Sequence, residues 1–377
     1  MERLLWLCLF GGISVHGLAL DSVTTAQLGE RLNKLAGKSD KHIARQISEF
    51  ELTERVGQRQ LEAWSRELPG DTSRTALLAV ADASKFLAPP RSEILMEVAP
   101  EKKVQGEILL RAMEFVNDES KRMPNFLAER VTTRFQDAKW YPYSTHISYY
   151  TPKVYHFFDR HTANVRYLAG EEEEIKPHSS TKKERDIMLL PQGLTTWGAF
   201  GPLLPTVMAD ILGAKAGWVR WENSNQGRLA VFRFFVPEEK SHYAVEYCCV
   251  PDPKGTTIEF KAKPTYHGEI AIEPDTGHIV RIMLICDLAP GQVIDKASVE
   301  LEYGPIEIAG QTYFLPLRGA SASAVPSKTV HPVGQDGYQQ DDRFKLTSIN
   351  DLRFQNYRVF RTEMRILPEQ NAISPEH

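Results

Sequence analysis

The chain has 377 residues, 42% of them hydrophobic and 25% charged, with a formal net charge of −4. That length suits two domains, and the composition is that of an ordinary globular protein. No basic face or basic tail stands out, so nucleic acid is not an expected partner.

Met1-Glu2-Arg3 forms a short n-region ahead of the apolar run 4–15, and Gly17-Leu18-Ala19 puts small residues where a signal peptidase reads. The run is shorter than the ~20 apolar residues a spanning helix needs. Residues 1–19 are therefore expected to be a signal peptide cleaved after Ala19, leaving a periplasmic or secreted protein without a stable membrane span. A short membrane anchor is the competing reading. Cys8 lies inside the run, which argues against lipid attachment there. Cys248, Cys249 and Cys286 remain after cleavage. The adjacent pair points to opposite faces of a strand, so only one of the two can readily meet Cys286; Cys249–Cys286 is a possible disulfide, and three buried thiols are the alternative.

Residues 20–88 read as a small helical region. Leu28, Leu32 and Leu35 follow helical spacing, as do Ile43, Ile47 and Phe50, then Leu61, Trp64 and Leu68, then Leu77, Val80, Ser84 and Leu87. Thr24, Ser39, Thr53 and Asp71 stand where N-caps belong, which predicts four short helices. Ala88-Pro89-Pro90 breaks the last, and 89–100 reads as a linker. The pattern turns helical again over 101–121, with Val104, Ile108, Ala112 and Phe115 on one stripe, until Met123-Pro124-Asn125.

From Phe126 the period falls to two. Strand-like segments follow near 142–149, 152–158 and 163–169. Glu171 to Glu174 followed by Lys182, Lys183, Glu184 and Arg185 is a mixed charge run that reads as a solvated loop, with a metal or partner site as the alternative, since it lacks the interleaved spacing of a calcium loop. Over 193–213, Trp197, Phe200, Leu203, Leu204, Val207, Met208, Ile211 and Leu212 are apolar around most of a helix, while Pro202 and Pro205 forbid one regular helix throughout. Either a helix plugging an open sheet or a hinged lid over an apolar cavity satisfies this pattern.

Beyond Gly213 strands and turns alternate, at 217–222, 228–237, 242–250, 257–263, 297–303, 311–320 and 348–365. The central stretch is 266–286. There Tyr266, Ile270 and Ile272 alternate with His267, Glu269 and Glu273, and Pro274-Asp275-Thr276-Gly277 supplies turn chemistry before a second strand. Residues 325–342 read as a mobile polar loop and 369–377 as a disordered tail. The expected fold class is α+β: a helical region, then over 101–368 an incomplete antiparallel β-barrel or curved sheet with plugging helices.

Catalytic motifs are sparse. There is no GxSxG, HExxH, phosphate loop or dinucleotide fingerprint, so no cofactor is expected. His156, Asp159 and His161 could approach a metal only across a bend, and no metal site is expected. Glu269, Glu273 and Asp275 are the nearest thing to clustered carboxylates of a hydrolase, but they sit at a turn.

The segments MPNFLAERVTTRF, GLTTWGAFGPLL, YHGEIAIEPDTGHIVRI and VELEYGPIEIAGQTYFLP resemble, in order, the β portion of paralogous sets of exported, uncharacterised bacterial proteins best known from acidobacteria. The N-terminal ELTERVGQRQLEAW and LPGDTSRTALLAVADASKFLAPP are similar to one subset. The strand, Asp-Thr-Gly turn and Arg-containing strand over 275–281 also resemble outer-membrane lipoprotein-sorting carriers of the periplasm and related lipid sensors, in which a half-barrel encloses an apolar cavity. The long helical region departs from those carriers. The resemblance and the apolar segment together imply a non-enzymatic protein binding an apolar ligand, an acyl chain or lipoprotein tail. Trp197, Phe200, Leu204, Val207, Met208, Ile211, Tyr266, Ile270 and Ile272 would line the cavity. The alternative is an envelope scaffold with a filled core whose N-terminal helices bind a protein partner.

Overall fold

The computed structural model describes residues 20–140, 147–150, 153–168, 171–175, 193–195, 203–224, 227–251, 257–289, 291–333 and 337–359. The first half of the chain carries β1 (Asp21–Val23), α1 (Thr25–Lys34), α2 (Asp40–Ser48), β2 (Phe50–Leu52), α3 (Gln58–Glu67), α4 (Asp71–Ser84), β3 (Ile94–Leu95) and α5 (Lys102–Arg122). Then come β4 (Phe126–Gln136), β5 (Ala138–Trp140), β6 (Ile147–Tyr150), β7 (His156–Leu168), β8 (Glu171–Ile175), β9 (Gly193–Thr195) and α6 (Leu203–Leu212). The remainder is strand: β10 (Lys215–Ser224), β11 (Gly227–Val236), β12 (Val245–Pro251), β13 (Thr257–Ala262), β14 (Thr265–Ile272) and β15 (Ile279–Asp287). Last are β16 (Lys296–Ile308), β17 (Gln311–Val333) and β18 (Gly337–Val359).

The molecule is mixed α+β, built on one antiparallel sheet of eleven strands in the order β3-β10-β11-β14-β15-β16-β17-β18-β4-β7-β8. The sheet is not closed into a barrel: β3 and β8 are its edges. At its centre lies the hairpin expected from 266–286, with Tyr266 opposite Cys286 and Ile270 opposite Ile282. Its turn is tied by Gly277 N donating to Glu273 O at 2.9 Å. Gly277 has φ +80°, and a Cβ there would stand 2.6 Å from the Arg111 carbonyl of α5, so backbone conformation and helix packing both demand glycine.

One face of the sheet is apolar. Ile270, Ile272, Ile282, Leu284, Val299, Leu301, Phe232 and Phe234 form a single cluster with Ile108, Ala112 and Val116 of α5 and with Leu203, Val207, Met208 and Ile211 of α6. The buried stripe of α5 is Ile108, Ala112 and Val116, rotated from the expected one. Val104 is exposed, while Phe115 turns aside to pack edge-on against Phe314 at 5.7 Å.

The other face carries the helical region. All four expected helices are present. Thr24 caps α1 in a full capping box with Gln27. Thr53 and Asp71 are not caps: Gly57 and Gly70 occupy those positions. The first turn of α4 instead borrows Asp40, whose carboxylate accepts from Thr72 N at 3.1 Å and Ser73 N at 2.9 Å. Those hydrogen bonds, Ser73 foremost, hold the Asp40 carboxyl at about 2. Leu77, Leu78, Val80 and their neighbours share a second cluster with Phe135, Ala322 and Ile349 of the sheet.

Three segments differ from expectation. The stretch 89–100 contains β3, which pairs with β10 through Leu95–Trp221. The stretch 325–342 continues the β17–β18 ladder as far as Val333 opposite Gly337, since backbone pairing requires no apolar side chains. The acidic residues 171–174, expected in a loop, all lie in edge strand β8, with Glu172 and Glu174 on Arg130. The expected signal peptide and tail lie outside the described residues. Among the described residues no helix is long and apolar enough to cross a membrane.

Gly277→Ala should lower unfolding free energy by more than ~1 kcal/mol in urea titration, because the turn and α5 must both shift. An unchanged midpoint would contradict the packing described for the turn.

Candidate functional site

Of the residues expected to line an apolar cavity, Val207, Met208, Ile211, Tyr266, Ile270 and Ile272 do come together, in the core between the sheet and α5–α6. They are buried there as packed side chains, and Leu204 is half-buried against them. Trp197 and Phe200 lie outside the described residues. α6 is apolar on both sides, since Leu212 on its outer side is 62% exposed. Its one buried charge is Asp210. Asp210 accepts from His242 N at 2.9 Å and from Tyr266 OH at 2.7 Å, with His242 Nδ1 on its other oxygen. Burial and the bond to Asp210 push the Tyr266 phenol well up, so it stays a donor. This latch was not legible, because Asp210, His242 and Tyr266 come from three separate segments.

Cys286 is a free, buried thiol, pushed up to about 12 by burial. The side chain of Cys249 lies outside the described residues. No group of three His, Cys, Asp or Glu side chains among the described residues could hold a metal ion. Glu269 is held by Arg220 and Arg233, and Glu273 by Thr276 and His278.

The opposite face of the sheet is charged where β15, β16 and β17 meet the helical region, beside the apolar seam of Phe135, Ala322 and Ile349. Register sets Arg281, Glu302 and Arg318 side by side across β15, β16 and β17. The helical region closes over them with complementary charge. Arg55 Nη2 lies 2.6 Å from Glu222, which Arg281 also reaches at 2.8 Å. Lys85 follows α4 and sits between Glu300, at 2.9 Å, and Glu302. Arg318 donates to Asp82 of α4, to Asp351 at 2.9 Å and to Gln58 at 2.7 Å. Burial alone would raise the Glu222 carboxyl, but Arg281, Arg55 and Arg220 outweigh it and hold the group at about 2. Glu302 is likewise held at about 2, by Lys85 and Arg318 against burial. Asp82 moves the other way: burial pushes it up, aided by the neighbouring Asp351.

Between α3 and this face lies a cleft of about 600 Å³. Its lining includes Arg55, Lys85, Glu222, Arg281, Glu300 and Glu302. These residues were missed in the sequence, where charges at period two read as a wet face. The signal that could have found them is Lys85 ending an otherwise buried helix. No family model, no curated protein and no solved structure matches the chain.

Two predictions follow from the network. Lys85→Ala strips two buried carboxylates of their cation and should weaken docking of α1–α4 by about 3–5 kcal/mol. Hydrogen exchange should report this as lost protection in α4 with β15 and β16 unchanged. The second concerns acid. Glu222 and Glu302 titrate below their ordinary 4.5, so their stabilisation is complete above that pH and is lost as pH falls toward about 2. For Glu222 the shift corresponds to about 3 kcal/mol. Glu222→Gln should flatten the fall in stability across that window in a pH series of urea melts.

Proposed function

We propose that this is an exported, non-enzymatic protein that takes an apolar chain, such as a fatty acyl group, between its sheet and the helices α5 and α6. The observation that carries the reading is α6 itself. It is a ten-residue helix, apolar around most of its circumference, lying on an apolar sheet face and fastened by one buried polar group. Swinging α6 aside would uncover Ile270, Ile272 and Phe234, a surface suited to an acyl chain. The chain would replace contacts that Val207, Met208 and Ile211 make in the closed form. The open eleven-stranded antiparallel sheet with α5 and α6 on its apolar face supports the likeness to lipoprotein-sorting carriers, while α1–α4 on the other face depart from it. Export rests on the signal-like residues 1–19.

The complete burial of Ile270, Ile272 and Val207 favours a second reading. In it the face is permanently filled, and α1–α4 capture an envelope protein partner. A fluorescent long-chain fatty acid distinguishes the two. Saturable uptake, entering severalfold faster in Asp210→Asn because the latch is weakened, is the expected result. No saturable uptake by either form would sink the carrier reading and leave the scaffold.

A further inference from the structure

A second cleft, of about 540 Å³, opens between α2, the first turns of α4 and β7. The acyl-carrier reading makes no use of it. Ala44 of α2 and Ala76 and Ala79 of α4 line it together with Phe135 of β4, and side chains this short leave room between the layers. Tyr155 and Phe157 give it an aromatic wall. Phe157 is 52% exposed. It meets Phe135 edge-on with ring centroids 6.5 Å apart, which leaves ring surface uncovered.

A break in the strand brings these residues together. Arg134 is opposite Asp159 but Phe135 is opposite Phe157, so Phe158 is an extra residue in β7. In an unbroken strand, residues three apart face opposite ways. The bulge re-aims the chain, and Phe157 and Arg160 enter the same cleft.

The charge of the cleft is one-sided. Arg45 of α2 lines it with Arg160. Arg160 Nε donates to Thr133 Oγ1 at 3.2 Å, which leaves Nη1 and Nη2 for another acceptor. Among the described residues neither arginine has a carboxylate partner. Asp71 is the one acidic residue of the lining, and Arg74, outside the cleft, pairs with it at 3.4 Å.

We propose that this cleft binds a carboxylate carried on an aromatic ring. The guanidiniums of Arg45 and Arg160 take the carboxylate, whose geometry their paired donors fit. The ring lies against Phe157 and Tyr155. Two arginines less one aspartate leave the lining with the formal charge that a monoanion balances. A free aromatic acid and a peptide ending in phenylalanine both present this chemistry, with ring and carboxylate on neighbouring carbons.

The test is isothermal titration of the intact protein with hydrocinnamate, with hydrocinnamyl alcohol as the neutral isostere and acetyl-glycyl-phenylalanine as the peptide source. Saturable binding of an acid, with the alcohol inert, is expected. The tighter of the two acids identifies the source. Arg45→Gln and Arg160→Gln should each weaken it about tenfold, and Phe157→Ala severalfold. Lys41→Gln removes a charge from α2 outside the cleft and should change nothing. All four positions are exposed, so the variants should keep their fold by circular dichroism. Equal heats from acid and alcohol would overturn the proposal. So would acid binding unchanged in Arg45→Gln or Arg160→Gln, binding weakened as much by Lys41→Gln, or no acid binding at millimolar concentration.

Discussion

The arrangement depends on ions buried between the helical region and the sheet. Lys85 on Glu300 and Glu302, Arg318 on Asp82 and Asp351, and Arg55 on Glu222 all cross from one layer to the other. Taking such groups out of water costs about what their mutual attraction returns, so their net contribution to adhesion is small. Their effect is directional. Each cation has its partners in one docked position only, and a shifted position would strand charge in a dry interface. Adhesion comes instead from the apolar seam of α4 against Phe135, Ala322 and Ile349. The ion pairs set where the helices sit, and the seam makes them stay.

A single sheet thereby separates two chemically opposite layers. Along β16 the side chains alternate: Val299 and Leu301 join the core under α5 and α6, while Glu300 and Glu302 meet Lys85. A register slip of one residue would drive carboxylates into the core and leave aliphatic side chains against Lys85. The pattern holds because each neighbour repeats it, with Arg281 beside Ile282 and Arg318 beside Gly319. Where the two faces must be retuned, the ladder slips locally, at Ala271/Ile272 and at Glu302/Tyr303. The acyl-chain reading belongs to the first layer alone.

How much of this was legible follows from the range of the forces involved. The N-cap Thr24 is local and was readable, as were parts of the helix stripes and the 266–286 hairpin, although the buried stripe of α5 is rotated from the expected one. The capping of α4 by Asp40 was not, because donor and acceptor lie 32 and 33 residues apart. The charged network was the largest omission. Glu300 and Glu302 between apolar residues have the signature of a solvated face, and only the helices packed on top make it dry. The apolar face was recovered residue by residue at Val207, Met208, Ile211, Tyr266, Ile270 and Ile272. Periodicity marks such residues as inward-facing without saying whether their own side chains or a ligand fill the space.

The central claim is that α1–α4 form a layer whose position, but not the sheet's own stability, is governed by the buried ions. Native-state hydrogen exchange of the intact protein at about pH 6 and about pH 3 tests it most directly, because Glu222 and Glu302 lose their charge advantage in that interval. The account predicts that opening of α4 becomes easier in acid, by less than Glu222 and Glu302 alone would give because the raised Asp82 gains as it takes up its proton, while amides of β14, β15 and β16 keep their protection. Helix and sheet losing protection together, or α4 indifferent to pH, would contradict it.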